Sequence, residues 1–340
     1  MFTRSKTPGQ PTSRRTLLSV MASSVAMAAA GLLPTVVQAQ AAYPNKPVTL
    51  IVPYPAGGAN DAVGRLIGQK MAEVLGQPVI VDNKPGAGTT IGAALAAKAP
   101  ADGYTIVLGS LASHAVSPHL IPNAGYDAVK DFAPIGLIGV APIVATVNKE
   151  SPYTSLQSLV DAAKKKPGDV MYGSAGNGSP LHLAGELFSQ SASINITHVP
   201  YKGGNAHTMD LIGGRLAVIF DTTTAAMPMI KGDKVRAIAV SSPTRLPDLP
   251  NVPTFAEAGF PGFEVSAWYA LYAPAKTPPD VVARLSADLG KVMKMAEVDS
   301  KLKGLAVKPS YGSSAELAAF TQSEFTKYGK VIKAANIKAD

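Results

Sequence analysis

From residue 48 onward, short apolar runs alternate with segments whose apolar residues recur every three or four positions. Val48-Thr49-Leu50-Ile51-Val52 predicts a strand. Val63, Leu66, Ile67, Met71 and Val74 share one face of a predicted helix over 61–75, which Gly76 closes. The same reading predicts strands at 78–82, 104–108, 170–172, 196–201, 216–220, 235–240 and 265–272, and an apolar stretch over 135–147. Helices are predicted near 90–99, 155–165, 205–212, 279–295, 315–320 and 324–335, and the Pro-rich 243–261 reads as irregular surface. Such alternation predicts an α/β chain with parallel sheets covered by helices on both faces. Ligands then sit at the carboxyl ends of the strands.

The two halves are alike in plan, which predicts two α/β domains facing across a cleft. Chain crossings are expected near 140–147 and 265–271. Domain 1 would be discontinuous, residues 42–142 plus 270–340, and domain 2 would be 143–269.

Gly-rich turns stand at the ends of the predicted strands. The first is Pro53-Tyr54-Pro55-Ala56-Gly57-Gly58-Ala59-Asn60-Asp61, where two prolines stiffen the turn and two glycines allow close backbone approach. Asn60 is the expected N-cap, and Asp61 the expected helix-start carboxylate rather than a ligand contact, since its charge would repel an anion. The second is Gly173-Ser174-Ala175-Gly176-Asn177-Gly178-Ser179-Pro180, with Ser179 as N-cap and Pro180 at the first helical position. A third, Asn83-Lys84-Pro85-Gly86-Ala87-Gly88, precedes an Ala-rich helix. Turns of this build aim free N–H groups, aided by the helix dipole, at one point and so bind anions. The spacing is neither that of a P-loop nor that of a dinucleotide fingerprint, so a small carboxylate fits better than a nucleotide phosphate. Asp221-Thr222-Thr223-Thr224 and Tyr201-Lys202-Gly203-Gly204 also end strands, and either a cleft role or plain turn capping accounts for them. Trp268 is expected in the core.

Composition narrows the function further. The chain has 340 residues, no Cys and five His, none in an H-x-x-x-H pair, which argues against disulfides, a thiolate nucleophile and a zinc site. Arg4, Lys6, Arg14 and Arg15 precede an apolar run over 17–37 that ends in small-residue cleavage sites, so residues 1–41 read as a secretory signal. Ser13-Arg14-Arg15-Thr16-Leu17-Leu18 fits a twin-arginine signal and an ordinary export signal alike. Its removal takes the net charge from +8 to about +4. That mild balance suits an anionic ligand and gives no sign of nucleic acid. A nucleophile elbow needs G-x-S-x-G, and neither Tyr172-Gly173-Ser174-Ala175-Gly176 nor Gly109-Ser110-Leu111 supplies it. Ser110, His114, His182, His198 and His207 remain a triad on paper only.

In order and spacing, Tyr43-Pro44-Asn45-Lys46-Pro47, residues 53–61 and 83–88, Asp102-Gly103-Tyr104, residues 173–186 and 198–203, Phe220-Asp221 and residues 253–263 resemble the Bug family of periplasmic solute-binding receptors of tripartite tricarboxylate transporters. The resemblance implies a two-domain periplasmic binding protein fold, type II-like, that closes around a small organic acid. Carried onto this chain, it implies Tyr54, Gly57, Gly58, Ala59 and Asn60 on one wall and Ser174, Ala175, Gly176, Asn177 and Ser179 on the other. Ser110, Tyr201 and Asp221 would tune selectivity. Family members often carry Pro where this chain has Ala56 and Ala59, and Thr or Ser in place of Asn60, which leaves the ligand open among di- and tricarboxylates, amino acids, nicotinate-like acids and terephthalate. The expected partners are that acid and the membrane permease subunits, with the receptor a monomer, non-enzymatic and without cofactor. A periplasmic hydrolase or isomerase, or a sensory protein, is the alternative.

Overall fold

The computed structural model describes residues 43–201, 206–263, 265–334 and 336–338, with residues 1–3, 5 and 9. The predicted export signal falls almost wholly outside the described residues, as do Lys202, Gly203 and Gly204. Along the chain come β1 (Val48–Val52), α1 (Ala59–Leu75), β2 (Val79–Asn83), α2 (Thr90–Ala97), β3 (Thr105–Ser110), a π-turn (Ala112–Val116) and α3 (Ser117–Leu120). Next are β4 (Phe132–Asn148), α4 (Leu156–Lys165), β5 (Met171–Ser174), α5 (Pro180–Ser191), β6 (Thr197–Pro200), α6 (Ala206–Ile212), β7 (Val218–Thr222), α7 (Thr223–Lys231) and β8 (Val235–Val240). The last elements are β9 (Ser266–Pro274), α8 (Pro279–Met293), α9 (Ala296–Gly304), β10 (Lys308–Gly312) and α10 (Ser314–Ala334).

Two parallel units recur. β1 pairs in parallel with β2 and β3, and β5 pairs in parallel with β6 and β7. What joins them is antiparallel, giving the order β2-β1-β3-β9-β4-β7-β5-β6. The 17 residues of β4 serve both units: residues 132–142 pair with β9, and residues 143–148 pair with β7 and β8. The expectation of purely parallel sheets is therefore corrected. Once the chain leaves one unit along β4 and returns along β9, the two strands run opposite ways and pair without a helical crossover.

Side chains of β1 alternate between faces, as a pleated strand requires. Leu50 and Val52 meet Val63, Ile67 and Met71 of α1 and Leu285 and Leu289 of α8. Ile51 faces the opposite layer, with Trp268, Tyr272, Leu317 and Tyr328. The other unit has its own core of Ile143, Val147, Tyr172, Phe188, Phe220 and Phe255. Trp268 is buried, packed edge-on against Phe320.

Other departures are local. α1 begins two residues earlier than predicted, so Asn60 lies inside the first turn and Gly58 is the N-cap, with no side-chain cap. Asp221 sits within β7 rather than after it, and Thr222 caps the unpredicted α7 by accepting from the Ala225 N–H. The Thr-rich start and Pro228 hid that helix. The tail has one helix, α10, where the pattern gave two. At the join, Thr321 is buried and donates its hydroxyl back to the Leu317 carbonyl at 2.7 Å, which satisfies that polar group within the core. Among the described residues no helix is long and apolar enough to cross a membrane.

Candidate functional site

The first Gly-rich turn follows β1 and is fixed by one side chain from its neighbour. Asn83, the last residue of β2, donates to the Tyr54 carbonyl at 3.0 Å and to Asp61 Oδ1 at 2.9 Å. Asp61 Oδ2 accepts from the Gly57 N–H and from Arg65 Nε, both at 2.9 Å. Burial would raise the Asp61 pKa, but the hydrogen bonds from Arg65, Gly57 and Asn83 outweigh it and hold the carboxyl below its usual range. Asp61 thus braces the turn ahead of the helix rather than capping it, and the Arg65 guanidinium balances its charge. The Gly57 N–H is used within the turn. The first-turn N–H groups of Ala59, Asn60 and Asp61 have no acceptor in their own helix. Gly57 and Gly58 are exposed, and Gly57 takes φ +85°, where a side chain is strained.

Behind this turn, the Tyr54 hydroxyl meets Ser110 Oγ at 2.7 Å at the carboxyl end of β3. Ser110 pairs across the ladder with Tyr269 of β9. The Tyr269 hydroxyl approaches Thr224 at the start of α7, without a well-formed hydrogen bond at Thr224 Oγ1. Burial raises the Tyr54 phenol well above its ordinary range and pushes Tyr269 up to about 12, so both stay neutral hydroxyls.

The second turn is built more tightly. Ser174 ends β5 fully buried; its Oγ accepts from the Gly176 N–H at 3.1 Å and lies 2.6 Å from His198 Nε2. Its carbonyl accepts from the Tyr201 N–H. Ser179 caps α5 by accepting from the His182 N–H, with Pro180 at the first helical position. His182 Nδ1 accepts the Gly178 N–H at 3.0 Å, so that ring is neutral, and burial followed by the neighbouring His198 lowers its pKa to about 3. The two imidazoles stack at 3.9 Å. Gly176 and Gly178 take φ +119° and +72°. A Cβ on Gly178 would lie 2.3 Å from Leu120 Cδ1 of α3, so this turn packs against the other unit.

Tyr201 and Asp221 stand further back. The Tyr201 hydroxyl donates to Asp210 at 2.6 Å, and burial, then that carboxylate, push its pKa up to about 12. Asp221 is buried, accepts from the Thr222 N–H and faces His207 Nε2 at 3.2 Å. Ala175, Asn177 and Ser179 are part-exposed on the rim. The paper triad does not assemble: Ser113 stands between Ser110 and His114, His182 and His198 stack on each other, and His207 bonds Asp221. Asn83, Ser113, His182 and His198 hold the turns but were given no role by sequence. The one signal for Asn83 was its place at the end of the strand beside β1. A separate cavity of about 400 Å³ runs along α1 between Ala62, Arg65, Leu66 and Gln69 and the end of α9 at Lys301, Gly304 and Leu305, and includes none of the predicted residues. Among the described residues no group of three His, Asp or Glu side chains could hold a metal.

The model of the tripartite tricarboxylate transporter family receptor, TctC, matches residues 63–337. Protein BugT of Bordetella pertussis is 33% identical over 297 residues, 87% of this chain and 91% of that protein. Among solved structures, Rpa4515 of R. palustris with adipate matches at 35% identity and TM-score 0.79, covering 88% of this chain and all of that one. MatC from Rhodopseudomonas palustris with bound malate matches at 32% identity and TM-score 0.76, covering 85% of this chain and all of that one. The fold and these matches define a periplasmic binding protein fold in a class of solute-binding receptors that do no chemistry on their ligand. This chain belongs to the tripartite tricarboxylate transporter receptor family, the Bug or TctC family.

Proposed function

We propose that this receptor is exported, its signal cleaved, and that it captures a small organic carboxylate outside the cytoplasm and hands it as a monomer to the permease subunits of a tripartite tricarboxylate transporter. Residues 42–142 with 270–340 would form one domain and 143–269 the other, closing by a hinge across β4 and β9. Tyr54, Gly58, Ala59 and Asn60 would grip from one side, and Ser174, Ala175, Gly176, Asn177 and Ser179 from the other. The Gly57 glycine would allow close approach, while Ser110, Tyr201 and Asp221 would shape the site from behind. The observation that carries this reading is the start of α1. First-turn N–H groups without acceptors in their own helix stand beside an exposed Gly-Gly loop, and the nearby Asp61 charge is balanced by Arg65 and hydrogen-bonded by Asn83.

The similar Rpa4515 and MatC, with adipate and malate, support a dicarboxylate, and terephthalate fits the same two-ended grip. A thermal-shift panel of adipate, malate, citrate, terephthalate, nicotinate and amino acids tests the reading. At one hundred times its dissociation constant, a true ligand adds about 2.7 kcal/mol of stability. No shift across the panel, with no acid recovered by mass spectrometry of the denatured protein, would overturn it.

A further inference from the structure

Beneath Tyr54 lies a chain of polar groups that the fold alone does not require. Ser113 and His114, on the π-turn after β3, are both 0% exposed, and Ser110 is 4% exposed. His114 Nδ1 lies 2.9 Å from Ser113 Oγ. Ser113 Oγ accepts the Ser110 N–H at 3.0 Å and lies 3.2 Å from Ser110 Oγ. Ser110 Oγ accepts the Ser113 N–H at 3.3 Å and meets the Tyr54 hydroxyl at 2.7 Å.

The direction of this chain follows from counting protons and lone pairs. The His114 ring stacks on Tyr272 at 4.0 Å and lies tilted against Phe132 at 4.7 Å; burial takes its pKa down to about 3, so it is neutral and carries one N–H. Nε2 has no partner. A buried N–H left without an acceptor is rarer than a bare lone pair, so the proton sits on Nδ1 and is donated to Ser113 Oγ. That oxygen then accepts twice, from His114 and from the Ser110 N–H. Its own proton goes to Ser110 Oγ at 3.2 Å, the Ser110 carbonyl at 3.4 Å being the longer alternative. Ser110 Oγ now also accepts twice, so its proton goes to the Tyr54 oxygen. The Tyr54 proton is left pointing away from Ser110.

We infer that His114 is a positioning residue whose Nδ1–H tautomer sets a one-way hydrogen-bond relay through Ser113 and Ser110, turning the Tyr54 hydroxyl into a dedicated donor for the ligand carboxylate. This rests on the carboxylate-receptor reading. Each bond in such a chain polarises the next, so Tyr54 donates more strongly than an isolated phenol. The relay also gives selectivity, because a ligand group that can only donate finds no acceptor at Tyr54.

Two measurements test it. Long-range ¹H–¹⁵N spectra of the histidine side chains, with His114 assigned through His114→Asn, need no ligand. The expected result is an Nδ1–H tautomer that does not titrate between pH 5 and 8; an Nε2–H tautomer, or titration near pH 6.5, overturns the relay. Calorimetry with adipate, then malate, gives the second. Tyr54→Phe should weaken binding about tenfold or more, as loss of a hydrogen bond to a charged group does. His114→Leu should weaken it several-fold and His114→Asn, whose amide can replace Nδ1–H, should restore most of that. In the Tyr54→Phe background, His114→Leu should cost nothing further; additive losses would mean His114 acts only through packing. If the wild type binds neither acid, the receptor reading suffers while the nitrogen spectra still decide the relay.

Discussion

At the scale of single residues, the Gly-rich turns depend on side chains packed behind them. Asn83 joins the Tyr54 carbonyl to Asp61, and Asn83→Ala removes both bonds. The expected loss is about 1–3 kcal/mol of stability, read from urea unfolding, with weaker carboxylate binding because the turn loosens. The buried histidines give a pH signature. His114 and His182 titrate near 3 when folded, against about 6.5 in an unfolded chain. Between those values unfolding takes up protons, so stability falls as pH drops below about 6.5. The urea midpoint should be lower at pH 5.5 than at pH 7.5, a window above most carboxylate titration. The His114→Asn/His182→Asn double variant should flatten that dependence. What sequence made legible at this scale was backbone chemistry: Gly57, Gly176 and Gly178 all take positive φ, which glycine favours. Asn83 and His114 were not legible, because their roles depend on which strands lie side by side.

Among elements, periodicity located most helices and strands to within a few residues, since each needs one buried face. It failed where pairing rather than periodicity decides. β10 (Lys-Pro-Ser-Tyr-Gly) has no apolar alternation and exists because β4 offers it an edge lined by glycines. A Cβ on Gly139 would lie 2.6 Å from the Lys308 carbonyl oxygen. Gly139→Ala should therefore cost about 1–3 kcal/mol as backbone is forced apart, with faster amide exchange confined at first to β10. The antiparallel placement of β9 was likewise hidden, because an apolar strand reads the same in either direction.

For the whole molecule, the proposed closure turns on how the two parallel units meet. Gly178 lies against Leu120, Leu183 of α5 shares a core with Val116 and Leu120, and Thr223 donates to the Ala306 carbonyl at 2.9 Å. Gly178→Ala would press on Leu120 and strain a residue at φ +72°. The expected outcome is about tenfold weaker carboxylate binding by calorimetry and a larger radius of gyration in solution scattering with ligand present than the wild type shows.

The position of β9 also has a consequence for how the protein is made. Ribosomes deliver the chain from its N-terminus, yet β3 and β4 are not joined into one sheet until residues 266–274 arrive to pair with both. The helices that seal this sheet, α8 and α10, follow later still. The unit that emerges first is thus completed last, and nearly the whole polypeptide is synthesised with that sheet unfinished. The proposed export, if it threads an unfolded chain, would use this interval, and a chaperone that shields apolar strand edges would find its substrate there.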